Sequence, residues 1–327
     1  MSRMDEPYVS VVVPVHNEQE CLPELVARLK AALAGLGKPW EIILVDDGSR
    51  DGSLGLMRGF HEGDPGGVRV IVFNRNYGQH AAVFAGLQHS RGRIVVTLDA
   101  DLQNPPEEIP KLVAKIEEGH DVVGGWRRRR RDNFARRILS SLNNRLTAYT
   151  TGVPLRDFGC MLRAYRRDVV DQVKACREIS TYIPALCNRF ARSVAEVEVA
   201  HAERKGGASK YGIRRLLNLH YDLLTGFSVL PLKFITVLGL IVAPAGLMLS
   251  VYLFARRIWY GIVDPAAIAP EQGIFTLFAV LFFFMGAMFL ALGIMGEYIG
   301  RIYNEVRDRP RFVIKEIVGE EREGTSG

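Results

Sequence analysis

Residues 94–103 read Ile94-Val95-Val96-Thr97-Leu98-Asp99-Ala100-Asp101-Leu102-Gln103. The first half is apolar and β-branched, which predicts a buried strand. The run then breaks into two carboxylates one residue apart. In open α/β sheets, ligands bind just beyond the carboxyl ends of the strands. Two carboxylates there suit a hard divalent cation such as Mg²⁺, which is held by one or two carboxylates plus substrate phosphates. An isolated Asp-x-Asp is more often a solvated turn, so the neighbouring strand ends decide between the two readings.

Those neighbours repeat the pattern. Val9–Val13 predicts a first strand, followed by Pro14-Val15-His16-Asn17-Glu18. A helix over Cys21–Leu36 follows, with Pro23 tolerated in its first turn. Glu41–Val45 predicts a second strand ending in Asp46-Asp47-Gly48-Ser49, and Val68–Phe73 a third ending in Asn74-Arg75-Asn76-Tyr77-Gly78. A helix over Gln79–Gln88 leads into the central strand. Strands alternating with helices mean βαβ units and a largely parallel sheet, an α/β fold. One Asp or Asn cluster after a strand is ordinary loop chemistry; several on one rim point to a nucleotide site. Neither a G-x-G-x-x-G nor a G-x-x-x-x-G-K-S/T is present to redirect the reading to a dinucleotide fold or a P-loop.

The chain has 327 residues and a formal net charge of +6. Its length allows one large domain plus something smaller. The positive balance points to anionic partners without choosing among nucleic acid, nucleotide and membrane surface. The four cysteines, Cys21, Cys160, Cys176 and Cys187, form no C-x-x-C and no disulfide framework, so a reducing compartment is expected. Met1–Tyr8 is acidic and polar, and predicts no signal peptide.

Composition shifts near position 230. Phe234–Ala255 and Gly273–Met295 are runs of roughly 20 uncharged residues, each long enough to cross about 30 Å of hydrocarbon. Basic flanks at Arg214, Arg215 and Lys233, and at Arg301, Arg307, Arg309, Arg311 and Lys315, place both termini in the cytoplasm. Arg256 and Arg257 in the short outer loop dissent and are outweighed. Between Tyr211 and Ser228 the apolar residues recur at helical spacing, which predicts an amphipathic helix lying on the membrane surface. The expected organisation is a catalytic domain over 1–210, an interface helix over 211–230, two transmembrane helices over 231–298 and a C-terminal tail over 299–327. Within that tail, Phe312–Val318 is expected to form a strand that pairs with a neighbouring subunit.

At this point the residues resemble a family. PVHNE, VDDGSRD, NRNYGQHAAVFAG and LDADLQNPPEEIP look like the family 2 glycosyltransferases of GT-A fold, and more narrowly the polyprenyl-phosphate glycosyltransferases of the dolichol-phosphate mannose synthase type. The likeness continues through DFGCMLRAYRR (Asp157–Arg167), HAERKGGASKYGIRRLLNL (His201–Leu219) and GEYIGRIYNEVRDRPRF, so it covers nearly the whole chain. His16 stands where the nearest type has Tyr, and Phe227–Pro231 looks more like the glucose-transferring members.

The resemblance implies a GT-A mixed sheet flanked by helices. It also implies inverting transfer of a sugar from a UDP-sugar to undecaprenyl phosphate at the bacterial inner membrane. The sugar it favours is 4-deoxy-4-formamido-L-arabinose, destined for lipid A and polymyxin resistance; glucose or another hexose is the alternative. By the same resemblance Asp99 and Asp101, with Gln103 as a further oxygen ligand, bracket Mg²⁺ or Mn²⁺ and the diphosphate. Pro14, Val15, Asn17, Glu18, Asp46, Asp47 and Ala100 line the nucleotide. For Asn17 and Glu18, helix capping is an equal alternative. Arg204 and Lys210 belong to a loop that closes on the donor and excludes water. Asp157 supports or orients the sugar.

The acceptor chemistry explains the arginines. A phosphate monoester is already mostly dianionic near neutrality and needs no general base. It needs cations, and the resemblance places Arg127, Arg136 and Ser140 around it, the last two sharing a helix face. Arg128 to Arg131 read as a solvated basic loop near anionic lipid. A nucleic-acid partner explains neither the spans nor the acidic strand ends, so none is expected. Relatives lead us to expect a homo-oligomer, a tetramer. A processive polysaccharide synthase would carry a Q-x-x-R-W motif and more spans. The non-enzyme alternative is a membrane-tethered nucleotide-binding scaffold.

Overall fold

A computed structural model describes residues 6–127, 160–176, 183–200, 230–263, 270–307 and 310–320. The chain divides into two units, Met1–Leu217 with Pro310–Gly327, and Asn218–Arg309.

Among the described residues, the first unit is built on one eight-stranded sheet. Strand β1 (Val9–Val15) is buried along its whole length and pairs in parallel with β2 (Trp40–Asp46) on one side and β4 (Ile94–Thr97) on the other. Strand β3 (Val68–Phe73) runs parallel beside β2. Beyond β4 the directions mix. Strand β6 (Arg163–Arg166) is antiparallel to both β4 and β5 (Val122–Arg127), and β7 (Val194–Val199) is parallel to β5. The strands expected at 9–13, 41–45, 68–73 and in the central run are all present, and the sheet is mixed, as the resemblance implied.

Helices cover both faces: α1 (Leu22–Ala34), α2 (Ser53–Gly63), α3 (Gln79–His89), α4 (Ile109–Glu117), α5 (Arg167–Ala175) and α6 (Ile183–Phe190). The period of two along β1 sorts its side chains between them. Val11 and Val13 join Leu25, Leu29 and Leu112 of α1 and α4 in one cluster. Val12 joins Phe84 of α3, Val170 of α5 and Leu186 of α6 in the other. Each fully buried Val or Leu contributes roughly 1.5–3 kcal/mol, so a doubly covered strand such as β1 anchors the domain. Gly86 lets α3 approach the sheet closely: a Cβ on it would lie 2.2 Å from Cγ1 of Val12.

A last strand, β8 (Ile314–Ile317), adds antiparallel to the outer side of β3. The segment Phe312–Val318, expected to seek a neighbouring subunit, thus has its strand on the sheet of its own chain. β3 offers an open edge, and Phe312 stacks on Phe73 with ring centroids 4.9 Å apart.

The second unit contains two long helices, α7 (Leu230–Val263) and α8 (Pro270–Val306). Leu232–Arg256 and Val280–Gly300 have mean hydropathies of 2.3 and 2.0 and are long and apolar enough to cross a membrane. The second stretch lies further along the chain than the run Gly273–Met295 read from composition. Large apolar side chains such as Leu240, Leu247 and Phe289 are exposed on them, an arrangement that lipid tolerates and water penalises. The helices meet where Gly246 leaves room for the ring of Phe284, whose Cζ would lie 2.2 Å from an added Cβ.

Candidate active site at the carboxyl rim of the sheet

Because β1, β2, β3 and β4 run in one direction, their carboxyl ends open on one rim. A pocket of about 500 Å³ sits there. After β1 it is lined by His16 and Asn17; at and after the end of β2, by Asp46, Gly48, Ser49 and Arg50; after β3, by Asn74, Arg75 and Asn76. Leu54, Val72 and Phe73 supply apolar wall, and Lys315 reaches in from β8. Three cations and one carboxylate, Asp46, line it, which favours an anionic ligand.

Backbone geometry explains why these residue types stand here. Asn17 adopts φ 56°, a left-handed conformation that Asn tolerates best among side-chain-bearing residues. Its Oδ1 accepts the Arg50 N–H at 2.8 Å, and its own N–H donates to Ser49 Oγ at 3.1 Å. Asn17 therefore ties the first loop to the second, and α1 starts at Leu22 without any side-chain cap. Glu18 caps through its backbone instead: its carbonyl accepts the N–H groups of Cys21 and Leu22, both at 3.1 Å. Gly48 has φ +66°, and a Cβ there would lie 2.6 Å from the backbone of Arg75 and Asn76. Only glycine lets the second and third loops approach so closely.

His16 completes the wall. Its Nδ1 lies 2.9 Å from the Asp47 carbonyl and 3.1 Å from Asn76 Nδ2, and its Nε2 lies 3.2 Å from Asn17 Nδ2. Asn76 Nδ2 donates to the same carbonyl at 3.2 Å. The Asp47 carboxylate points the other way and accepts the backbone N–H groups of Tyr77 at 2.6 Å and Gly78 at 2.9 Å. Burial pushes its pKa up, with those two N–H groups and His16 opposing.

The acidic turn is linked to this network through the next residue. The side-chain amide of Gln79 donates to Oδ1 of Asp99. Asp99 is half-buried. Burial pushes its carboxyl up to about 7, helped by Asp101 and Glu18 and opposed by Arg127. Asp101 accepts the Gln103 N–H at 3.1 Å. Burial also raises the Cys21 thiol, and Glu18 and Asp101 both add to that rise, so Glu18 shares the neighbourhood of the two aspartates. Between Asp101 and Gln103, Leu102 is buried with φ 60°. That conformation costs a bulky residue about 1–2 kcal/mol, and the core around Leu102 holds it there.

Of the residues expected from sequence, Pro14 and Val15 are buried in β1 beneath the rim, and Ala100 is buried between the two aspartates. Asp46 and Asn17 line the pocket, Asp47 holds the third loop, and Arg127 at the end of β5 faces Asp99 electrostatically. Arg136, Ser140, Arg204 and Lys210, with Asp157, Arg128 to Arg131 and the helix expected over Tyr211–Ser228, lie outside the described residues. Sequence reasoning gave no site role to Gln79, Arg50 or Lys315, and used Lys315 only as a basic flank of the second apolar run. Gln79 carries a usable signal, since it opens a helix directly after a strand-end loop; Lys315 carries none locally.

Among the described residues, no group of three or more His, Cys, Asp and Glu is gathered to cage a metal ion. The donor set that does exist, two neighbouring carboxylates with Gln103 beside them, fits a hard cation completed by phosphate oxygens.

A mostly parallel sheet with a polar pocket and a carboxylate pair on its carboxyl rim is the architecture of the GT-A sugar transferases. The chain belongs to glycosyl transferase family 2, whose family model matches residues 10–174, and it is a glycosyltransferase. Over 313 residues it is 51% identical to the undecaprenyl-phosphate 4-deoxy-4-formamido-L-arabinose transferase of Salmonella paratyphi A, covering 95% of this chain and 93% of that one. The protein of the same name from an Enterobacter species is 52% identical over 318 residues, covering 97% of this chain and 96% of that one. Among solved structures, the chain is similar to glucosyl-3-phosphoglycerate synthase from Mycobacterium tuberculosis in complex with Mn²⁺, UDP and phosphoglyceric acid. There the identity is 20%, the TM-score 0.49, and the coverage 67% of this chain and 77% of that one.

Proposed function

We propose that this glycosyltransferase moves 4-deoxy-4-formamido-L-arabinose from its UDP-linked form to undecaprenyl phosphate. The observation that carries the reading is its extent. About half of all positions are identical to transferases of that name across 95% of the chain. The match thus takes in the rim pocket, the acidic turn and both apolar helices.

The chemistry on the rim agrees. The pocket takes the nucleoside end of the donor between His16, Asn17 and Asp46. Asp99, Asp101 and Gln103 would hold Mg²⁺ or Mn²⁺, and such a cation, as a Lewis acid, stabilises charge on a departing diphosphate. Gln79 orients the Asp99 carboxylate, and Asp47 fixes the loop from which Gln79 starts. The acceptor phosphate arrives already ionised, so no residue needs to remove a proton from it. Arg127, with Arg136 and Ser140, holds that anion against the sugar on the face opposite the leaving group, which inverts the anomeric centre. Arg204 and Lys210 complete the charge balance around the donor and keep water out. The two apolar helices are read as membrane spans with both termini cytoplasmic, the orientation that their basic flanks support. A homotetramer is the expected assembly, on family resemblance.

The test is transfer by the purified full-length protein to undecaprenyl phosphate from a panel of UDP-sugars. The formamido sugar is expected to be transferred in preference to glucose. Transfer from UDP-glucose alone would replace this reading with a glucosyltransferase, and metal-dependent UDP binding without any transfer would favour the scaffold.

A further inference from the structure

The pocket residues lie within the family-matched span, residues 10–174, with one exception, Lys315. It comes from β8, which follows the second apolar helix in sequence. The strand is held at both ends. The Asn74 N–H donates to the Val313 carbonyl at 3.2 Å, and the Val318 N–H to the Val70 carbonyl at 3.0 Å. Glu316 pairs with Arg58 of α2 at 2.8 Å, and Glu320 with Arg69 at 3.1 Å. Arg311 lies over the ring of Phe84, 4.4 Å from its centroid.

The register shows how Lys315 is aimed. Ile317 faces Ile71 and Glu316 faces Val72, but Phe73 faces Ile314, so the strand register skips Lys315. An extra residue of this kind is a β-bulge, a device that re-aims side chains next to active sites. Its effect shows in the packing. Ile314 and Ile317, which a regular strand would send to opposite faces, both pack into the cluster that contains Phe84. Lys315 lines the pocket beside Leu54 and Val72.

We propose that Lys315 is a donor-binding residue: the C-terminal strand adds to the pocket a third cation, beside Arg50 and Arg75 of the family domain, and this cation helps hold the nucleoside diphosphate. The inference rests on the UDP-sugar reading above. An ammonium group has three N–H donors and no acceptor, so it matches the carbonyl, hydroxyl and phosphate oxygens of UDP. With Arg50 and Arg75 it outweighs the charge of Asp46 in the pocket wall.

The experiment uses the full-length protein in detergent, with UDP affinity read by calorimetry, steady-state kinetics with the UDP-sugar that is transferred, and thermal melting. Lys315→Ala and Lys315→Gln are expected to weaken UDP binding about tenfold or more and to raise KM for the donor, with kcat and Tm little changed. Lys315→Arg is expected to recover most of the affinity. Lys115→Ala, which removes an exposed lysine paired with Glu118, serves as the charge control and keeps wild-type affinity. Wild-type affinity in the Lys315 variants would overturn this inference alone, as would a loss that tracks a lowered Tm in both. A wild-type protein that binds no UDP would overturn the donor reading and this inference with it.

Discussion

The carboxylate of Asp47 accepts the backbone N–H of Gly78 at 2.9 Å, and its neighbour Tyr77 donates to the same carboxylate at 2.6 Å. The residue that follows, Gln79, donates to Asp99. Three consecutive residues therefore connect the end of β2 to the acidic turn after β4.

Replacing Asp47 by Asn tests that connection. An amide keeps one acceptor but turns an NH₂ toward the second backbone N–H, leaving a buried donor unsatisfied. The expected cost is about 1–3 kcal/mol of stability, read as a lowered Tm. UDP affinity is expected to fall with it, because the third loop loses its anchor.

On the proposed function, Asp99→Asn and Asp101→Ala remove carboxylates that would hold the cation at the departing diphosphate. Losing a group that stabilises transition-state charge typically costs about 10²–10³ in kcat. Steady-state assays at saturating Mg²⁺ or Mn²⁺ are expected to show a loss on that scale for each variant, with the fold intact by melting. Full activity in Asp101→Ala would rule out the role given to the acidic turn.

His80 opens a pH window. Burial pushes its imidazole from 6.5 down to about 4. The ring therefore stays neutral in the folded protein at pH values where it charges in the unfolded chain. Between pH 6.5 and 4 the unfolded state binds more protons, so stability falls as pH drops through that interval. The difference between wild type and His80→Gln, measured by denaturation from pH 7 to pH 4, is expected to approach about 3 kcal/mol at the acid end. Taking the difference removes the opposite slope that Asp99 contributes.

Gly86→Ala tests the contact of α3 with β1. The new Cβ would lie 2.2 Å from Val12 Cγ1, and overpacking of this kind costs about 1–3 kcal/mol. Adding Val12→Ala is expected to recover part of the loss, so that the two substitutions are non-additive in thermal melts.

Much of this was legible in the chain before any coordinates. Four apolar runs separated by helices pointed to parallel strands, and so to one rim for Asp46, Asp47, Asn74, Asn76 and Asp99, because the apolar pattern is local and a helical crossover makes successive strands parallel. Asn17 reads from sequence as either a cap or a site residue; its left-handed backbone and its bond to Arg50 give it a bridging role that depends on a second loop. Gln79 sits inside a visible motif, yet its partner Asp99 is 20 positions away, and only the sheet brings the two together.

Sequence alone therefore determined the α/β class, the family, the acidic turn and the two apolar helices, since each depends on patterns within a few turns or strands. Tertiary structure decided which strand ends share a pocket, that β8 returns to its own β3, and that Lys315 enters the wall of the rim pocket. The physical reason is that strand pairing and a bulge are set by long-range hydrogen bonds and by the packing of Ile314, Ile317 and Phe312 against the core. No neighbouring residue in the sequence encodes that partner.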